Sequence, residues 1–463
     1  MEVVNGPSLS GYRQPGPIHR QQRAGVPQGL SVAETRRDMI DTDLLRWLRG
    51  LASVVAVVVA LPGCVNAYFQ VPRSILDEHA YTALYPYFAE YCAVSEFNKK
   101  KGFGVDIEGG GPGGHSVFYL NGACRVHDAG YPELALCDAP PEGMAGRGVG
   151  LSVNAHYRNA NWVATEGRDF FYGGDLAPGD GVNRATYDRT QDAAKAMGIL
   201  DGIEFHRDVM AGKPASMSDR DFMYEISVAT DYAIDLARDR YCARVPLDRG
   251  RMETVVRHLN ALNQPYRSGQ KDFNWQVLRN NCAYLAHNAL STIDLWPEWP
   301  TDRPLLIAAF NFPVPKNEFV NLIRRTNDMR IDDPDALFDD DAAHAALLGQ
   351  GWIATQPGAL AQASPAVRPN DIYDTKLRLI FYDEAIFGHY QRRFERIFAE
   401  PRYTDIASNL WYFSGLYATI LATQHERDAP AGHAAFHERY YDAIARAKMK
   451  VDAGLARLSG IAG

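Results

Sequence analysis

The 463 residues are 46% hydrophobic and 22% charged, ordinary globular proportions that predict packed cores and argue against disorder throughout the chain. At roughly 100–200 residues per domain this length allows two or three domains. The net charge of −8 speaks against a nucleic-acid partner, which would require a basic stripe, and the six cysteines include no Cys-x-x-Cys pair, which argues against a zinc ribbon.

Residues 1–38 are rich in Gly, Pro, Arg and Gln and have no apolar period. They read as a disordered extension, or as an upstream mis-start with Met39 as the true start. Residues 39–67 read as a signal peptide: Arg46 and Arg49 precede an apolar run, Leu51 to Leu61, and Val65-Asn66-Ala67 fits a cleavage site. The competing reading is a lipid anchor on Cys64, after Leu61-Pro62-Gly63. Both place the mature protein in the periplasm or cell envelope, and an anchor or the C-terminal helices would bring it to a membrane surface. In that oxidising setting four of Cys92, Cys124, Cys137, Cys242 and Cys282 can pair. The disulfide candidates are Cys92, Cys124, Cys137 and Cys242, with the connectivity open and Cys282 the natural odd thiol.

Residues 68–104 look like an N-terminal helical, aromatic segment. Residues 105–300 carry mixed patterns. His115 to Leu120 alternates as a strand does, and so does Leu151 to Tyr157, where Ser152, Asn154 and His156 share a polar face. Phe222 to Val228 reads as a further strand, and residues 122–148 as a long loop. An amphipathic helix is predicted over 251–263, with Met252, Val255, Val256, Leu259 and Leu262 on one stripe. A second helix starts at Asn281 or Cys282, capped by Asn280 or Asn281. From 315 to 463 the sequence predicts a separate helical region. Helices are expected over 382–399, 404–425 and 431–459, with Phe394, Phe398, Trp411, Tyr412, Phe413 and Tyr417 in its core.

The glycine-rich "GGGPGGHS" before His115 lacks the Lys of a phosphate loop and leads into a strand, so it fits neither a phosphate loop nor a dinucleotide fingerprint. It reads as a tight approach to His115. Cys282 falls in the first turn of a helix, where unpaired N–H groups favour a thiolate, although its stripe with Leu285, Ala286, Ala289 and Leu290 also suits a core cysteine. A thiol nucleophile needs a base, for which His115 stands ready, and the base needs a polar partner, Asn154 or His156. Asn281 could add an oxyanion donor.

The segments "GGHSVFYL", "LSVNAHY", "RDFMYEIS", "METVVRHLNALNQPY" and "DFNWQVLRNNCAYLAHNAL" occur in that order. Over residues 105–295 they resemble the Lnb N-terminal periplasmic domain family, a bacterial domain of unknown function in the circularly permuted branch of the NlpC-type papain-like fold. Lecithin retinol acyltransferase belongs to the same branch. The resemblance implies an α+β, papain-like domain with an antiparallel sheet and a nucleophile helix, in which His115, Asn154 and Cys282 align with the family's motif positions. The loop holding Cys124 and Cys137 and the length of 158–220 depart from it. The expected function is an exported cysteine-dependent hydrolase or acyltransferase acting on an amide or (thio)ester. Its substrate would be a peptide, a cell-wall peptide or a lipid acyl chain, with no cofactor or metal. The alternative is a catalytically inactive envelope binding or scaffold protein on the same frame.

Overall fold

The computed structural model describes residues 64–67, 77–105, 114–140, 143–302, 304, 313–375, 379–382, 389–424 and 429–461. The expected extension 1–38 and nearly all of the expected signal segment lie outside them. So does most of the glycine run.

The protein is α+β, built on a six-stranded antiparallel sheet. Its strands are β1 (Tyr87–Val94), β2 (His115–Asn121), β3 (Gly148–Ser152), β4 (Val163–Glu166), β5 (Arg240–Leu247) and β6 (Leu360–Ser364). They lie in the order β6-β5-β1-β2-β3-β4. β1 falls in the segment expected to be helical. All eight of its residues are buried, so "YFAEYCAV" has apolar residues toward both faces. Such a run has no period that separates strand from helix. "DRDFMYEIS", expected as a strand, is a helix, Asp219–Ser227, started by Ser218, whose side chain accepts the Asp221 N–H.

The helices used below are α1 (Glu78–Leu84), α2 (Arg168–Gly173), α3 (Arg249–Arg267), α4 (Cys282–Ser291), α5 (Pro315–Asn327), α6 (Pro334–Phe338), α7 (Ile406–Ala422) and α8 (Ala434–Ile461). One sheet face presents Ala89, Tyr91, Ala93, Phe118, Leu120, Ala243 and Val245 to a large core that includes residues of α3, α4 and α5. The opposite face presents Phe88, Cys92, Val117 and Tyr119 to Tyr81 of α1 and to Phe171 and Tyr172 of α2. Phe171 sits so close to β3 that a Cβ on Gly150 would stand 2.1 Å from its ring, so only glycine fits there.

The region from 315 onward is largely helical but is not separate. β6 completes the sheet by pairing with β5, Leu360 opposite Arg244, and α5 packs across β1 and β5. Tyr373–Asp374 pairs with Asn98–Lys99, and Leu379–Tyr382 with Cys64–Ala67, the end of the expected signal segment. Phe394, Phe413 and Tyr417 are buried as expected; Trp411 and Tyr412 are exposed. No helix among the described residues is long and apolar enough to cross a membrane.

Two disulfides are present. Cys92–Cys242 joins directly paired positions of β1 and β5, and Cys124–Cys137 closes a small hairpin of Ala123–Arg125 and Leu134–Leu136. Cys282 is free and buried.

Beside the first disulfide lies Glu90, with no exposed surface. Its carboxylate accepts from Arg168 at 2.8 Å, Arg244 at 2.7 Å and the Tyr172 hydroxyl at 2.6 Å, and Arg240 lies 3.7 Å away. Arg244 also makes a two-pronged pair with Glu78 at 2.8 Å, and Arg240 one with Asp235. Three guanidiniums therefore face three carboxylates. Burial alone would raise the Glu90 pKa, but Arg168, Arg244 and Arg240 together hold it well below the ordinary carboxylate range.

Removing one member of such a cluster leaves uncompensated buried charge. Glu90→Ala is expected to lower unfolding stability by about 3–5 kcal/mol in urea titrations. Because the folded pKa is depressed, the wild-type contribution is complete above the unfolded value near about 4.3 and is lost as pH falls toward the folded one. The gap between wild type and Glu90→Ala should therefore shrink in acid.

Candidate functional site

α4 begins where the sequence placed it. Asn281 is the N-cap, and its side-chain oxygen accepts the Ala283 N–H at 2.9 Å. The Asn281 amide donates to the carbonyls of Val277 and Pro313, so both of its hydrogens are engaged and it is not a spare oxyanion donor. Cys282 follows it at the first helical position, 8% exposed. Its Sγ accepts the backbone N–H of Ser116 at 3.3 Å.

Strand alternation then separates the two expected catalytic residues. Ser116 pairs with Ala93 and belongs to the face covered by α4. His115 pairs with Val94 and belongs to the opposite face. The His115 ring meets Ser152 Oγ at 3.1 Å, and Ser152 donates to the Thr230 carbonyl at 2.8 Å. No hydrogen bond joins His115 to Cys282. Burial, with Arg238 and Lys316 adding to it, pushes the His115 pKa down to about 3, so its imidazole is neutral.

Asn154 and His156 also differ from expectation. β3 stops at Ser152, so both lie in the turn beyond the strand. The Asn154 amide donates to Asp231 Oδ2 at 2.9 Å, and its oxygen accepts the His156 N–H at 3.1 Å. The His156 ring lies against Phe205, with 5.7 Å between centroids, and burial lowers its pKa. Ser152, two residues nearer along the alternating face, takes the place beside His115 that was expected for Asn154.

The sequence reading missed the groups nearest Cys282. The Tyr91 hydroxyl on β1 donates to the Pro315 carbonyl at 3.0 Å and fixes the start of α5. The next residue, Lys316, is fully buried. Gly114, at φ +69°, leaves the space Lys316 uses: a Cβ there would stand 2.1 Å from Lys316 Nζ and 2.5 Å from the Val94 carbonyl. Lys316 interacts electrostatically with Glu96, Arg238 and Cys282, and burial, reinforced by Arg238, lowers its pKa to about 7. Arg238, with its guanidinium bonded to the Ala229 and Ser95 carbonyls, is likewise lowered by burial to about 10. Burial raises the Cys282 pKa against the opposing pull of the Ser116 hydrogen bonds and Lys316. A Pro-Lys pair opening a helix was the one available signal for Lys316, and it is a weak one.

His287, on α4, pairs with Glu318 of α5 at 2.5 Å and stacks on Trp296 at 4.0 Å. This buried pair locks the helix of Cys282 to the helix of Lys316. A cleft of about 780 Å³ lies elsewhere, lined by residues that include Leu176, Asp180, Asp235, Asp239, Tyr241 and Arg368, and contains neither Cys282 nor His115. No family model matches the chain, and no curated protein or solved structure matches it either.

Burying Lys316 has a measurable cost. Its folded pKa of about 7 lies below the unfolded value near about 10.4, so the unfolded chain binds more protons between the two. Wild-type stability relative to Lys316→Met should rise with pH across that window and be flat below it. The full span should be on the order of a few kcal/mol by chemical denaturation.

Proposed function

We propose that the protein is a cysteine-dependent acyl hydrolase or acyltransferase in which Cys282 is the nucleophile. The observation that carries this reading is its setting. Cys282, a free cysteine, heads a buried helix, accepts a strand N–H and interacts with a lysine whose pKa lies near neutrality. Lys316 in its neutral form takes the thiol proton, and the thiolate attacks the acyl carbon of an amide or (thio)ester. The leaving group departs with the proton from Lys316. Water or a second acceptor then releases the acyl group from sulfur. The Ser116 N–H, which bonds the sulfur in the resting state, is placed to stabilise the thiolate. His115 acts on the other face through Ser152 and supports the strand end rather than the proton transfer.

A nucleophile helix laid across an antiparallel sheet accords with the permuted papain-like arrangement suggested by the resemblance to the Lnb N-terminal domain family. We place the protein in the cell envelope, with a peptide, cell-wall peptide or lipid acyl chain as substrate. A second reading, an inactive binding or scaffold protein, is favoured by one observation: the resting thiol is neutral, enclosed and outside the large cleft.

Alkylation of the Cys64→Ser chain by iodoacetamide, followed by intact mass across pH, separates these readings. One modification at Cys282, with a rate that rises through about pH 7 and falls about tenfold or more in Lys316→Met but little in His115→Ala, is the expected result. A loss in His115→Ala as large as in Lys316→Met would return the base to His115. A Cys282 that does not react in the folded protein would leave the binding reading.

A further inference from the structure

A second cluster of reactive side chains lies far along the chain from Cys282, where α6 meets the start of α8. Asp335 is in the first turn of α6. His433 immediately precedes α8, and His437 lies one turn on. The His437 N–H donates to the His433 carbonyl at 2.9 Å, so the two imidazoles stand at i and i+4 on one helix face. Asp335 Oδ1 lies 3.0 Å from His433 Nδ1 and 3.2 Å from His437 Nε2, and all three atoms fall within 4.8 Å of one another.

We propose that Asp335, His433 and His437 form a binding site for a zinc-class divalent ion. Two imidazole nitrogens and one carboxylate oxygen are a donor set that suits borderline first-row ions and not calcium or magnesium, which favour oxygen alone. Ligand atoms at about 2.0–2.1 Å from a tetrahedral zinc lie about 3.3 Å from each other. The observed 3.0 and 3.2 Å separations already match two edges of that polyhedron, so the ligand atoms need not be drawn together and the rings only turn from Asp335 toward the ion.

The surroundings hold the ligands in place. Phe338 stacks on the His433 ring at 3.8 Å and meets Phe436 edge-on at 5.2 Å. The nearby His344 is engaged with the Phe338 carbonyl at 3.0 Å and is not a ligand. His437 is 7% exposed at its side chain, whereas Asp335 is 46% exposed. The site therefore opens to solvent on the carboxylate side, where water completes the coordination. The ion joins residues 98 positions apart and clips α8 to the segment that begins at Asp335.

The test uses the untagged full chain with Cys64→Ser and Cys282→Ala, which removes both thiols outside the disulfides as competing ligands. After chelator treatment it is titrated with Zn²⁺ by calorimetry and with Co²⁺ by visible absorption. One equivalent of Zn²⁺ with a four-coordinate cobalt spectrum is the expected result, with His433→Ala and His437→Ala each weakening binding by more than the roughly 10–100-fold that an outer-shell change costs. His433→Gln, which can still donate to Asp335 but ligates poorly, should lose the metal while the circular dichroism stays native. Absence of stoichiometric binding, or binding unchanged in His433→Gln, would overturn the site and leave only a hydrogen-bonded Asp–His cluster.

Discussion

One carboxylate governs the architecture. Glu90 lies in the middle of the central strand with no access to water, and an isolated ion in that position would not be tolerated. It survives because β5 supplies Arg240 and Arg244 from paired positions, and α2 swings Arg168 and Tyr172 over the same face. Glu78 of α1 then balances Arg244, and Asp235 balances Arg240. The strand register, the docking of two helices and the disulfide at Cys92–Cys242 are thus tied to one charge balance. A hydrophobic face could slide by a residue pair with modest loss. This one cannot, because any slip separates an arginine from its carboxylate.

At the far end of the same strands, the two-residue period of a β-strand divides the chemistry. His115 and Ser116 are neighbours in sequence, yet they serve opposite faces. His115 enters a polar chain through Ser152 to the Thr230 carbonyl, with Asp231 and Asn154 bonded nearby. Ser116 meets Cys282, where Lys316 and Arg238 supply the positive charge. Both halves are buried, so each holds its titratable groups toward the neutral form.

Much of the helical pattern was legible. The stripe from Met252 to Leu262, the Asn281 cap and the position of Cys282 in the first turn are local features, set by spacing and by one side-chain bond. The oddness of Cys282 followed from counting. What could not be read was whatever depends on partners distant in sequence. β1 looked helical because it is apolar on both faces, and "RDFMYEIS" looked like a strand because Phe222, Met223, Tyr224 and Ile226 crowd together. The choice of Lys316 over His115 beside the thiol depends on which face β2 turns to α4, and that is decided by its register with β1. The acidic stretch around Asp335 and the histidines of "HAAFH" gave no joint signal, since 98 residues separate them.

The sheet order also constrains how the chain can reach its native state. β1, at the centre, precedes the region the sequence marks as the domain, and its partner β5 lies about 150 residues later, as the Cys92–Cys242 separation records. The edge strand β6 arrives only after residue 360. Most of the stabilising pairings are therefore non-local, which makes folding slow relative to a helical protein of this size. During synthesis the outer edge of β5 stays open until nearly four-fifths of the chain has emerged, a period in which its unpaired backbone can recruit another chain. The papain-like domain expected over residues 105–300, taken alone, would keep that edge open permanently and would also lack its central strand.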